Sequence, residues 1–138
     1  MIRLHGRGGE LTTFVGRGHV SRGELLETYS SFLLRTPTRL VLWDLRRAKL
    51  TGGGDDHGIW ELTVMAALLA RGRRTTGRTA IVCSSAEDLG LARTLLPRLR
   101  IVGYPVLVKE FADVQTARSW LMEEPTEQGG APRAPATR

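Results

Sequence analysis

Two short runs, LVLW (40–43) and AIVC (80–83), are apolar at every position. A strand with one face in water alternates apolar and polar residues. A strand buried on both faces does not, and such strands belong to parallel sheets covered by helices on either side. Strands are therefore expected over Arg39–Leu45 and Thr79–Cys83, with helices between them.

The rest of the chain fits that frame. Ile2–His5 reads as a short strand and GRGG (6–9) as a turn, since glycine supplies the positive φ that hairpins need. Leu11, Thr13 and Val15 alternate with Thr12 and Phe14 as in a strand. Ser21 and Glu24 form a capping box, with Val20 placed to staple onto Leu25. Leu25, Tyr29, Phe32 and Leu33 then recur at helical spacing, and Pro37 stops the helix. After the GGG of 52–54, Asp55 and Asp56 suit the first turn of a second helix, where carboxylates meet the positive end of the dipole. That helix runs to about Ala70 and is apolar on more than one face. RGRRTTGR (71–78) reads as a loop. Ser84 or Ser85 caps a third helix with an apolar stripe of Leu89, Ala92, Leu95, Leu96 and Leu99, which Pro97 ends or kinks. Val106–Val108 starts a last strand. Asp113 caps a final helix carrying Val114, Ala117, Trp120 and Leu121. The order β-β-α-β-α-β-α-β-α predicts an α/β fold: one mixed, mainly parallel sheet of about five strands with four helices and a hairpin at one edge. Residues 1–124 form one domain. PTEQGGAPRAPATR (125–138) reads as a disordered tail.

Composition narrows the function classes. The chain has 138 residues, 41% of them hydrophobic, enough to build a core. Its longest strongly apolar stretch, Leu62–Ala70, is too short to span a membrane, and MIRLHGRGGE lacks the apolar core of a secretory signal. The single cysteine, Cys83, forms no internal disulfide and fits a reducing compartment, so a cytoplasmic protein is expected. The net charge is +6. Eighteen of the 20 basic residues are arginine, a bias that a GC-rich coding sequence also produces. Arg35–Lys49 holds one aromatic residue, Trp43, which reads as core, and Arg71–Arg78 holds none, so there is no row of stacking platforms and a nucleic-acid partner is not expected.

Four segments in order resemble the SpoIIAA-like family. FADVQTARSWL (111–121) matches its C-terminal signature through Phe111, Asp113, Ala117, Trp120 and Leu121. GRTAIVCSSAEDLGLARTL (77–95) matches a strand-then-helix segment through Gly90 and Arg93. VLWDLR (41–46) and VGRGHVSRGEL (15–25) match two further strands. The similarity spans about residues 10–122. That family is similar to STAS domains, which are anti-sigma-factor antagonists and regulatory modules of transporters, and its fold also resembles the lipid-carrying CRAL-TRIO domain. In partner-switching STAS proteins a serine or threonine is phosphorylated at the start of the helix after the Asp-Leu strand. Here the glycines of 52–54 fall about there, and Thr51 is the only hydroxyl close by. The resemblance thus implies a non-enzymatic regulatory or protein-interaction domain without the usual phosphorylation switch. The alternative is a carrier or sensor of a small apolar ligand, with a pocket under the second helix lined by Trp60 and Val64.

The expected interaction surface is Thr51, Gly52, Gly53, Gly54, Asp55, Asp56, His57 and Trp60, with Ile59 and Met65 as apolar residues that a partner or a second copy would cover. TGGGDDH lacks the spaced glycines and Lys-Ser/Thr ending of a P-loop, and its carboxylates oppose a phosphate. A plain hinge between strand and helix competes with the recognition loop. Asp44, Arg46, Ser84 and Ser85 mark the carboxyl ends of the parallel strands, where clefts form in open α/β sheets; the serines read equally as helix caps. His57 and Glu61 lie four apart on one helical face, but two ligands without a third make no metal site. Cys83 reads as a small core residue. No set of convergent titratable groups assembles into an active site, so neither an enzyme nor a cofactor is expected.

Overall fold

The structure is a computed structural model that describes residues 1–35, 38–51, 63–67, 77–101, 104 and 106–123. Five strands form one sheet: β1 (Ile2–Gly8), β2 (Leu11–Ser21), β3 (Leu40–Thr51), β4 (Arg78–Val82) and β5 (Leu107–Phe111), lying side by side in chain order. β1 pairs antiparallel with β2, and every later pair is parallel. The expected hairpin therefore sits at one edge. Its turn holds Gly9 at φ 57°, in the left-handed region that glycine enters without a Cβ clash. The helices are α1 (Arg22–Leu34), a described segment α2 over residues 63–67, α3 (Ala86–Ile101) and α4 (Val114–Leu121). Pro37 as a helix stop and the tail of 125–138 lie outside the described residues.

Chain order dictates which face each helix covers. Right-handed crossovers between strands that advance in one direction send every connecting helix to the same face. Accordingly Tyr29 and Phe32 of α1 pack with Phe14, Val41, Trp43, Leu45 and Cys83, joined by Leu89 of α3 and by Tyr104. Phe14 stacks on Trp43 at 4.6 Å between centroids and meets Phe32 edge-on at 5.9 Å. Only α4, which follows the last strand, is left to cover the other face. Ala117, Trp120 and Leu121 pack there against Leu40, Leu42, Ala80, Val82 and Phe111.

The helix starts are set by side chains. Ser21 Oγ accepts from the Glu24 amide at 3.1 Å. The Glu24 carboxylate does not return the bond as a capping box would. It accepts from the Ile2 amide at 2.6 Å and so ties β1 to α1. Asp113 accepts from the Thr116 amide at 2.8 Å and the Thr116 hydroxyl at 2.9 Å. The C-terminus of α4 is held by Arg78, expected in a basic loop but only 4% exposed. Its guanidinium donates to the carbonyls of Trp120 and Glu123 and lies 5.4 Å from the Trp120 ring centroid. It thereby satisfies carbonyls that the helix itself leaves open.

Candidate functional site

β3 is longer than its apolar run. Leu40–Asp44 pair with β4, and β3 then continues beside β2 alone, from Arg47 opposite Arg17 to Thr51 opposite Ser21. The two strands form a ribbon that projects past the sheet. A register shift between Val15 and Arg17 marks a bulge where it starts. The bulge turns the alternation over: Leu45, Ala48 and Leu50 all pack on the α1 face.

The step where β4 ends gathers three of the expected cleft residues. Asp44 receives Arg46 Nε and Nη2, each at 2.9 Å, together with the Arg46 amide at 3.2 Å. The Arg46 guanidinium holds the Asp44 carboxyl below the usual carboxylate range, against a smaller upward push from burial. Ser84 Oγ donates to the Arg46 carbonyl at 2.9 Å and links the ends of β3 and β4. Ser85 is turned away from this group: its Oγ accepts from the Asp88 amide at 3.0 Å and caps α3. Thr51 is also apart. It ends β3 seven residues beyond Asp44, roughly 20 Å along an extended strand. Gly52, Gly53, Gly54, Asp55, Asp56, His57, Ile59, Trp60 and Glu61 lie outside the described residues.

The remaining chemistry-bearing groups have structural work. Burial first, then the charges of Asp88 and Glu110, push the Cys83 thiol up to about 12, so it is no nucleophile near neutral pH. Asp113 is held low by the Thr116 amide it caps. No three His, Cys, Asp or Glu side chains converge as metal ligands among the described residues. Trp43 and Trp120 are buried, as core residues should be.

Two spaces accompany the sheet, one on each face. Under α1 and α3 lies an apolar cavity of about 140 Å³, lined by Val20, Leu25, Tyr29, Trp43 and Leu95, with Ala66 of α2 at its rim. Val64, expected to line such a pocket, is instead exposed. On the α4 face a polar groove of about 260 Å³ runs between the open part of β1–β3 and α4, lined by His5, Arg17, Asp44, Arg46, Arg47 and Arg118. Of this second group, residue-by-residue reading reaches Asp44 and Arg46 but misses Arg17 and Arg118. Its signal is alternation in register: Arg17 and His19 on β2 face Arg47 and Lys49 on β3.

No protein-family model and no curated protein matches the chain. Among solved structures, it is similar to the anti-sigma factor antagonist SpoIIAA in its unphosphorylated form, with a TM-score of 0.50 and 12% sequence identity, over 87% of this chain and 96% of SpoIIAA. At that identity the likeness concerns the fold, and the fold of this chain is the mixed α/β sheet of SpoIIAA and STAS domains.

Proposed function

We propose that this chain is a non-enzymatic, STAS-like regulatory domain that holds a protein partner, or a second copy of itself, against the surface around the glycine loop and α2. The observation that carries the reading is the exposure of two adjacent apolar side chains on α2, Val64 at 45% and Met65 at 42%. They follow directly on the loop where Thr51, Gly52–Gly54, Asp55, Asp56, His57 and Trp60 stand in the sequence. The likeness to an anti-sigma factor antagonist supports a protein-binding role. The absence of a serine at the loop supports a partner contact without a phosphorylation switch, and Thr51, the last residue of β3, is the hydroxyl that tests this. A single buried cysteine and the lack, among the described residues, of a helix able to cross a membrane fit a cytoplasmic setting.

The test is affinity capture from the host lysate with wild type, Asp55→Lys/Asp56→Lys and Thr51→Glu, read by native mass spectrometry. A stoichiometric protein or a homodimer retained by wild type and Thr51→Glu, and lost with the charge reversals, is expected. Loss with Thr51→Glu alone would restore the phosphorylation switch. A bare monomer from every bait overturns the reading.

The apolar cavity favours one second reading, a carrier of a small apolar ligand. At about 140 Å³ it lies below the range of drug-sized sites, roughly 300–1,000 Å³, and close to a cavity that holds benzene, about 150 Å³. The ligand on this reading is benzene-sized. Buffer saturated with benzene then raises the melting temperature, and an unchanged melt removes the carrier reading.

A further inference from the structure

The polar groove on the α4 face lies beside a helix too small to cover the sheet. One eight-residue helix is about 12 Å long and 10 Å wide, whereas five strands at about 4.8 Å span roughly 20 Å. α4 packs on β3–β5, so among the described residues no helix covers the β1–β3 half of this face. Four guanidinium groups line the opening, Arg17, Arg46, Arg47 and Arg118, with a single carboxylate, Asp44. Both oxygens of that carboxylate are already taken by Arg46. Among the described residues, no carboxylate forms an ion pair with Arg17, Arg47 or Arg118. Asp113, whose charge is felt by Arg46, is committed to capping α4.

Like charges are not placed side by side without cost. Arg17 sits directly opposite Arg47 in the β2–β3 ladder, and Arg118 reaches the same groove from α4. An oxyanion between them offsets that repulsion and uses the forked geometry with which guanidinium groups bind phosphate through paired N–H donors. The groove measures about 260 Å³, just below the roughly 300–1,000 Å³ of drug-sized sites, which suits a small polyanion such as a diphosphate. No Phe, Tyr or Trp lines it, and His5 is its one aromatic ring, so a run of bases has no row of stacking platforms. We propose that this groove binds a small diphosphate, through Arg17, Arg47 and Arg118, with the Asp44–Arg46 pair fixing the floor. The groove lies on the α4 face, whereas Ala66 of α2 lines the cavity on the opposite face.

Calorimetric titration at low salt tests it, with inorganic pyrophosphate as the probe, a nucleoside diphosphate as the second ligand, and sulfate and a DNA duplex as comparators. Pyrophosphate is expected to bind wild type and to bind Arg17→Ala/Arg118→Ala about tenfold or more weakly. Arg47→Ala alone weakens it several-fold. Arg100→Ala, which removes the same charge from an exposed site on α3, leaves it unchanged. Equal affinity for the nucleoside diphosphate identifies the diphosphate itself as the recognised part, and tighter binding of that ligand adds a contact beyond it. The proposal fails if sulfate binds as well as pyrophosphate, if Arg100→Ala weakens binding as much as the groove variants, or if only the duplex binds.

Discussion

Under α1 and α3 the sheet meets a broad aromatic cluster, Phe14, Tyr29, Phe32 and Trp43, and leaves an apolar cavity of about 140 Å³ beside it. Under α4 it meets a small, closed cluster in which Ala80, Val82, Ala117 and Leu121 are fully buried. Beyond the reach of α4 the same face turns basic. The difference follows from topology. Three connecting helices share one face and leave space between them. The single terminal helix has only a few apolar side chains and buries Ala117 and Leu121 completely, and the strands it cannot reach carry charge instead. The tightly packed helix is therefore the shorter one, and the looser packing lies under the longer helices.

The largest expected effect sets the two faces against each other by truncation. Leu121 is completely buried on the α4 face, so Leu121→Ala should cost about 2–5 kcal/mol. Leu25 is half-buried and borders the existing cavity, so Leu25→Ala should cost under about 2 kcal/mol. Urea unfolding midpoints measure both. Equal losses would mean that the two faces are packed alike.

Added volume should reverse the order. Ala117 is fully buried against the sheet, and Ala117→Val is expected to destabilise by about 1–3 kcal/mol through overpacking. Ala92 lies beside the cavity, and Ala92→Val should be neutral or stabilise by up to about 1 kcal/mol. Both changes put a β-branched residue into a helix, so that cost cancels in the comparison. A matching loss at Ala92 would show that the cavity cannot accept a methyl group.

The element order and the two faces were legible from periodicity because the apolar runs of β3 and β4 and the caps Ser21 and Asp113 are local signals. Three features were not. β3 extends to Thr51 because RRAKLT pairs with β2 in a ribbon, and a strand that packs on one side only looks like a polar linker once a bulge has shifted its alternation. Arg78 reads as one more arginine of a basic loop. Its burial depends on where the C-terminus of α4 arrives, 42 residues later, which no local pattern encodes. Pro97 lies inside α3, which runs on to Ile101; a proline forfeits one helical hydrogen bond, and packing of the neighbouring turns outweighs it. In the candidate site, Ser84 donates to the Arg46 carbonyl and joins the two strand ends, a bond that no local pattern announces. The separation of Thr51 from Asp44 comes from the length of β3. The paired arginines of the groove become visible only with the β2–β3 register in hand.

The smallest effect concerns the boundary between the closed and the open half of the α4 face, where Asp44 stands. Its folded carboxyl is depressed, chiefly by the hydrogen bonds from Arg46. A depressed carboxylate adds stability that is complete above the unfolded value, near 4, and is lost as the pH falls through the lower folded value. Wild type should therefore lose melting temperature below about pH 4 more steeply than Asp44→Asn, which has no such proton to take up. Asp113, also depressed, contributes in the same window and in the same direction, so Asp113→Asn should leave part of the slope in place. A half-open ion pair contributes up to about 1 kcal/mol, which bounds the effect at neutral pH. Melts from pH 6 down to 2.5 would decide it: parallel curves for wild type and Asp44→Asn would mean that the Asp44–Arg46 pair opens freely to water, and that the floor of the groove is no firmer than its rim.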